Sequence, residues 1–175
     1  MPSDSPSILL LIPAYNEESR IGPVLGAYAL YFREHHPDNF HLVVVLNGCT
    51  DDTLGVVERA SEQFPEISHV NIPEPVGKGG ALIEGLKLSP EADLVGYVDA
   101  DGATPPAAFD DLVTECAGAD CVIGSRWMAG SVLRQEQTFR RQFASRVFHA
   151  IVQGFFWMNI RSEERRVGKE CRSRW

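Results

Sequence analysis

The chain has 175 residues, 44% of them hydrophobic, enough to enclose one sizeable core. Its formal net charge of −8 is uneven: residues 1–125 hold 5 basic and 20 acidic side chains, residues 126–175 hold 11 basic and 4 acidic. The acidic body excludes general nucleic-acid binding, and the basic end suits an anionic surface or ligand.

Cys49, Cys116, Cys121 and Cys171 show no metal-type spacing and suit free thiols in a reducing compartment. Ser3 to Ser7 is polar and the apolar run Ile8–Ile12 is too short for a secretory leader. Nothing reaches the length of a membrane-spanning helix. These features predict a soluble, cytoplasmic body.

In chain order, Ile8 to Pro13 reads as a buried strand stopped by its proline. Glu17 and Glu18 then open a helix running to about His35, with Ile21, Val24, Leu25, Tyr28 and Phe32 on one face. Acids in a first turn suit the helix dipole, which is also their blandest role; Pro23 fits only near that start. His41 to Leu46 is a second strand, Asn47-Gly48 a turn, and Thr50 or Asp51 the cap of a helix reaching Phe64. Ile67 to Ile72 is a third strand. Gly77, Gly79 and Gly80 flank Lys78 just before another helix, which is either an anion site or a flexible turn with a solvated lysine. The spacing is not that of a P-loop.

The fourth strand, from Leu94, ends in two carboxylates one residue apart, Asp99 and Asp101. Gly102 allows a sharp turn, Thr104 can cap a helix, and Pro105 fits its first position. The carboxyl end of a strand is where open α/β sheets place their ligands. Two acids so close need compensation: a hard divalent metal bridging to phosphate oxygens, or simply turn amides. A helix from Pro105 to Cys116 follows, and then a fifth strand, Asp120 to Gly124, with Arg126 just beyond it. Arg126 is either a phosphate ligand or the start of the basic segment. Five strands alternating with helices predict an α/β fold with a three-layer, mostly parallel sheet.

LIPAYNEE, NGCTDDT, VGKGGAL, YVDADG and VIGSRW, in this order and at these intervals, resemble glycosyltransferase family 2. Within it they are most similar to the branch that makes polyprenyl- or dolichyl-phosphate mannose and glucose, and the likeness spans roughly residues 7–160. The resemblance implies a Rossmann-like GT-A domain, truncated at the C-terminus, that binds a UDP- or GDP-hexose with Mg²⁺ or Mn²⁺. It assigns residues 1–130 to the nucleotide-sugar core and 131–160 to the start of an acceptor-side helical segment. Pro13, Tyr15 and Glu17 match positions lining the nucleoside pocket, and Lys78 a basic position near base or phosphates. Asp99, Ala100 and Asp101 match the Asp-x-Asp motif, whose acids are the expected metal ligands. Arg126 matches an arginine expected to meet donor or acceptor phosphate, so Asp99, Asp101 and Arg126 form the expected catalytic set.

Two departures stand out. Leu46-Asn47 replaces a pair of acids before the turn, so base recognition would use the Asn47 amide and the nucleotide stays open. Gly102-Ala103 replaces Leu-Gln after the acids, which leaves the metal fewer protein ligands.

The implied reaction is displacement at the anomeric carbon, with the leaving diphosphate neutralised by the metal, Lys78 and Arg126. A lipid-phosphate acceptor is already an anion, whereas a sugar hydroxyl needs a general base. No residue after Arg126 is an obvious base, which favours the phosphate. The alternatives are a family 2 enzyme acting on a sugar hydroxyl, or a non-catalytic nucleotide-binding fragment.

Residues 139–158 place Phe139, Phe143, Val147, Ala150 and Ile151 at helical spacing, with Arg140, Arg141 and Arg146 mostly off the stripe. Such a helix either lies at the cytoplasmic face of an anionic bilayer or packs in the core. Residues 161–175, RSEERRVGKECRSRW, have no apolar period and resemble the translation of a DNA-sequencing adapter. That resemblance implies a non-native tail, a part-missing acceptor site, and donor binding with poor or absent transfer.

Overall fold

The computed structural model of the protein describes residues 6–87 and 92–124. The chain divides into two compact units, Met1–Asp110 and Asp111–Trp175.

The first unit is built on a four-stranded parallel sheet of order β3-β2-β1-β4. Its strands are β1 (Ile8–Ala14), β2 (Phe40–Asn47), β3 (Ile67–Ile72) and β4 (Leu94–Tyr97). β1 lies between β2 and β4, pairing Leu10 with Leu42 on one side and with Gly96 on the other. A strand flanked on both sides and covered on both faces needs apolar residues at every position. Ile8, Leu9, Leu10, Leu11 and Ile12 are accordingly all buried. Each fully buried leucine or isoleucine contributes roughly 1.5–3 kcal/mol relative to an exposed one.

The helices of this unit are α1 (Ile21–His35), α2 (Thr53–Gln63) and α3 (Gly77–Leu86), and α4 (Pro106–Glu115) begins in it. Side chains alternate across a sheet, so odd and even positions of β1 face different layers. Leu9, Leu11, Val43 and Val45 pack with Ala81 of α3. On the opposite face, Phe109 of α4 lies where a Cβ at Gly96 would stand, 2.5 Å away. Phe109 meets the rings of Tyr28 and Phe32 on α1, and Phe32 stacks on Phe40 of β2 at 4.1 Å. The three-layer α/β arrangement expected from the alternation is present.

Several local expectations are corrected. α1 starts at Ile21, so Glu17 and Glu18 precede it and Pro23 falls in its first turn. The Glu17 carbonyl accepts the amides of Arg20 and Ile21, closing a turn before the helix begins. α2 is preceded by Asp52, not Thr50 or Asp51. Gly77, Gly79 and Gly80 lie inside α3 instead of before it. Pro106, not Pro105, occupies the first position of α4, and the Pro105 carbonyl accepts the Phe109 amide.

The described part of the second unit comprises the end of α4, a 3-10 turn at Cys116–Gly118 and residues 119–124. The fifth strand expected at Asp120 to Gly124 does not form. Cys121, Ile123 and Gly124 are exposed, and so short an apolar run buries no face that would offset ordering its backbone. Among the described residues, Cys49, Cys116 and Cys121 are free thiols and no helix is long and apolar enough to cross a membrane. Arg126, the 139–158 helix and the 161–175 tail lie outside the described residues.

Candidate functional site

The chain runs outward from β1 to β2 and β3, then returns across β1 to β4, so the strand order reverses at β1. In open parallel sheets the crevice at the carboxyl ends beside such a reversal is the ligand site. A cleft of about 600 Å³ opens there.

The β1–α1 loop forms one wall, held by bonds to the β2–α2 loop. Asn16, in a left-handed conformation (φ 54°), accepts the Thr50 amide through Oδ1 at 2.8 Å. The Glu17 amide donates to Thr53 Oγ1 at 2.8 Å and the Glu18 amide to Asp51 Oδ2 at 3.2 Å. Glu18 reciprocates by accepting the Asp52 amide at 2.8 Å. Asp51 also accepts the Thr53 hydroxyl and amide. Desolvation works against the ionised Asp51 carboxyl, but these hydrogen bonds together hold it below the ordinary aspartate range. The latch leaves Tyr15 and Glu17 lining the cleft, with Arg20 paired to Glu17 at 2.7 Å.

Asn47, at the end of β2, is buried, and its Oδ1 accepts the Val76 amide at 2.7 Å. Only the carbonyl oxygen of an amide side chain can accept an N–H, so the orientation is chemically determined and Nδ2 remains as a donor. Gly48 follows with φ +66°, and a Cβ there would stand 2.8 Å from the Pro75 nitrogen. These two residues fix the turn that leads into α3.

Lys78, the second residue of α3, sends Nζ to Asp99 Oδ1 at 2.5 Å and lies 5.3 Å from the Tyr97 ring centre. Asp101 Oδ1 accepts the Ala103 amide at 2.9 Å across a turn in which Gly102 has φ +73°. Tyr28 anchors that turn by donating its hydroxyl to the Thr104 carbonyl at 2.9 Å, and burial pushes the phenol well up. The two neighbouring acids are thus compensated differently, one by an ammonium and one by a turn amide.

Every described residue expected at the site lies on this cleft. Pro13 and Asn47 line it from β1 and β2, Tyr15 and Glu17 from the β1–α1 loop, Lys78 from α3, and Asp99, Ala100 and Asp101 from the loop after β4. Gly77, weighed with Lys78 as part of an anion site, lines it too, and Ala14, Arg20 and Pro75 do so without having been expected. The placing of Arg20 three residues after Glu17 was the available signal for that pair.

Asp99 and Asp101 suit a hard divalent cation held by one or two carboxylates and completed by diphosphate oxygens and water. Among the described residues no group of three or more His, Cys, Asp or Glu could hold an ion on its own. A metal here would therefore need water or diphosphate oxygens to complete its shell.

A four-stranded parallel sheet flanked by helices, with a crevice at its reversal point, gives the chain the GT-A fold. The family model for glycosyl transferase family 2 matches residues 9–168, and the chain belongs to that family. It is 31% identical over 152 residues to the dolichyl-phosphate β-glucosyltransferase ALG5C of Trichomonas vaginalis, covering 81% of this chain and 45% of the relative. It is 30% identical over 131 residues to the polyprenol monophosphomannose synthase of Mycolicibacterium smegmatis, covering 72% and 47%. A solved mannosyltransferase from Pyrobaculum calidifontis, in complex with GDP-Man and Mn²⁺, superposes with a TM-score of 0.61 at 26% identity, covering 71% of this chain and 36% of that one. The chain thus spans less than half the length of each of these relatives.

Proposed function

We propose that the chain is the donor-binding part of a metal-dependent hexosyltransferase that moves a sugar from UDP- or GDP-hexose to a polyprenyl, dolichyl-type phosphate. The observation that carries this reading is the juxtaposition of Asp99, Asp101 and Lys78 on the cleft at the β1/β4 reversal. The names of the relatives, a dolichyl-phosphate glucosyltransferase and a polyprenol monophosphomannose synthase, support the acceptor class.

In this reading Pro13, Tyr15, Glu17 and Asn47 receive the nucleoside, with Asn47 offering its Nδ2 as a donor to the base. Asp101 and Asp99 are the residues that would hold Mg²⁺ or Mn²⁺, which when bound supplies charge neutralisation for the leaving diphosphate. Lys78 adds a second positive charge in the cleft, and Arg126 is proposed to reach a phosphate. Residues 1–130 form the donor core and 131–160 the start of the acceptor side. The segment 139–158 is proposed to contact an anionic membrane surface at the cytoplasmic face.

The test is a transfer assay with labelled UDP-glucose and GDP-mannose, offering polyprenyl phosphate in liposomes or a soluble sugar. Label that enters the lipid only when polyprenyl phosphate is present supports the reading. Label on the sugar hydroxyl and none on the lipid contradicts it. Donor binding with no transfer to either acceptor would reduce the function to nucleotide binding.

A further inference from the structure

We infer that Lys78 is a stand-in cation, occupying Asp99 in the unliganded cleft and giving it up when the metal and diphosphate arrive. The inference rests on the cleft being a metal–diphosphate site and concerns how that site is emptied and filled. Lys78 Nζ sits 2.5 Å from Asp99 Oδ1 and beside the Tyr97 ring, which also favours a cation. Asp101, by contrast, has a neutral partner, the Ala103 amide, on Oδ1. The two acids therefore differ in readiness: Asp101 can receive a metal at once, and Asp99 only after its ammonium leaves.

A metal bonded to Asp99 Oδ1 at about 2.0–2.1 Å would compete with the ammonium for that oxygen and stand close beside a like charge. Placing the metal on Oδ2 instead would bring two positive groups within about 4–5 Å of each other, a repulsion that opposes joint occupancy. The pair is nonetheless cheap to break. Both side chains are 53% exposed, and ion pairs so open to water add little to stability. The diphosphate brings the negative charge that can draw Lys78 away from Asp99, so metal and nucleotide help one another to bind. In this way the lysine keeps the acid pair from accumulating free cations and delivers its charge when a diphosphate is present.

Four proteins, each carrying the whole 175-residue chain, test this: the wild type, Lys78→Gln, Asp99→Asn and the double variant, each titrated with Mn²⁺ alone and read by the EPR signal of free Mn²⁺. Melting curves verify that each is folded. Lys78→Gln is expected to bind Mn²⁺ about two- to fivefold more tightly than the wild type, the range an exposed ion pair allows. The gain should vanish when Asp99 is already Asn. In the presence of UDP or GDP the same Lys78→Gln variant should bind Mn²⁺ and nucleotide more weakly than the wild type. Unchanged or weaker metal-only binding in Lys78→Gln overturns the inference, as does a gain that persists in the double variant. Either result leaves the donor-site reading intact if Mn²⁺ still increases nucleotide affinity. Absence of Mn²⁺ binding by all four proteins, with and without nucleotide, overturns both.

Discussion

Thr53 Oγ1 accepts the backbone amide of Glu17 across 36 residues of sequence, and Thr53 is itself completely buried. This one hydroxyl ties the β1–α1 loop to the start of α2 and in turn donates a hydrogen bond to Asp51. Thr53→Val keeps the shape but leaves the Glu17 amide without its partner. A loss of about 1–3 kcal/mol in urea unfolding is expected. Thr53→Ser, which keeps the oxygen, should lose less, and equal losses in the two variants would contradict the latch.

Asp51 gives the latch a pH signature. Its carboxyl is held below the ordinary range by hydrogen bonds from Thr53 and Glu18 that outweigh desolvation. A group whose folded value is depressed contributes stability above its unfolded value and loses it as pH falls through the folded one. The melting temperature of the wild type should therefore exceed that of Asp51→Asn at neutral pH, and the gap should close in the acid range below the ordinary aspartate value. A gap that stays constant or widens on acidification would show that ionised Asp51 contributes nothing.

Gly48→Ala tests the turn behind the cleft. The residue has φ +66°, which costs a non-glycine residue roughly 1–2 kcal/mol, and the new Cβ would stand 2.8 Å from the Pro75 nitrogen. Since Pro75 is backbone and cannot step aside freely, the loss in chemical denaturation should exceed the backbone penalty alone. A loss well under about 1 kcal/mol would mean that the turn is not rigid.

Much of this architecture was legible because its signals are local. β1 reads correctly because a central strand buried on both faces is apolar throughout, and the residues expected at the site fall on one cleft because most of them sit at or just beyond strand ends. The errors fall where distant partners decide. Glu17 and Glu18 look like first-turn acids, yet their amides are taken by Thr53 and Asp51 from another loop. The glycines of α3 look like a turn, because glycine disfavours helix by about 1 kcal/mol. A Cβ at Gly77 or Gly79 would meet nothing within 4 Å, so those two are not required by packing, whereas Gly85 further along α3 is: a Cβ there would lie 3.0 Å from Val45 and 3.1 Å from Leu11 of the sheet. The pairing of Lys78 with Asp99 spans 21 residues and two elements, so no periodicity reveals it.

In the proposed function Asp101 anchors a metal through which the cleft holds a nucleoside diphosphate. Calorimetric titration of UDP and GDP into the wild type and Asp101→Asn, with Mn²⁺ and with chelator, tests it most directly. At least one nucleotide should bind the wild type at least about tenfold more tightly with Mn²⁺ than in chelator, the effect of losing roughly 1.4 kcal/mol of charge-assisted binding. Asp101→Asn should lose most of that metal enhancement. Equal affinity in metal and chelator, with Asp101→Asn indistinguishable from the wild type, would contradict the account.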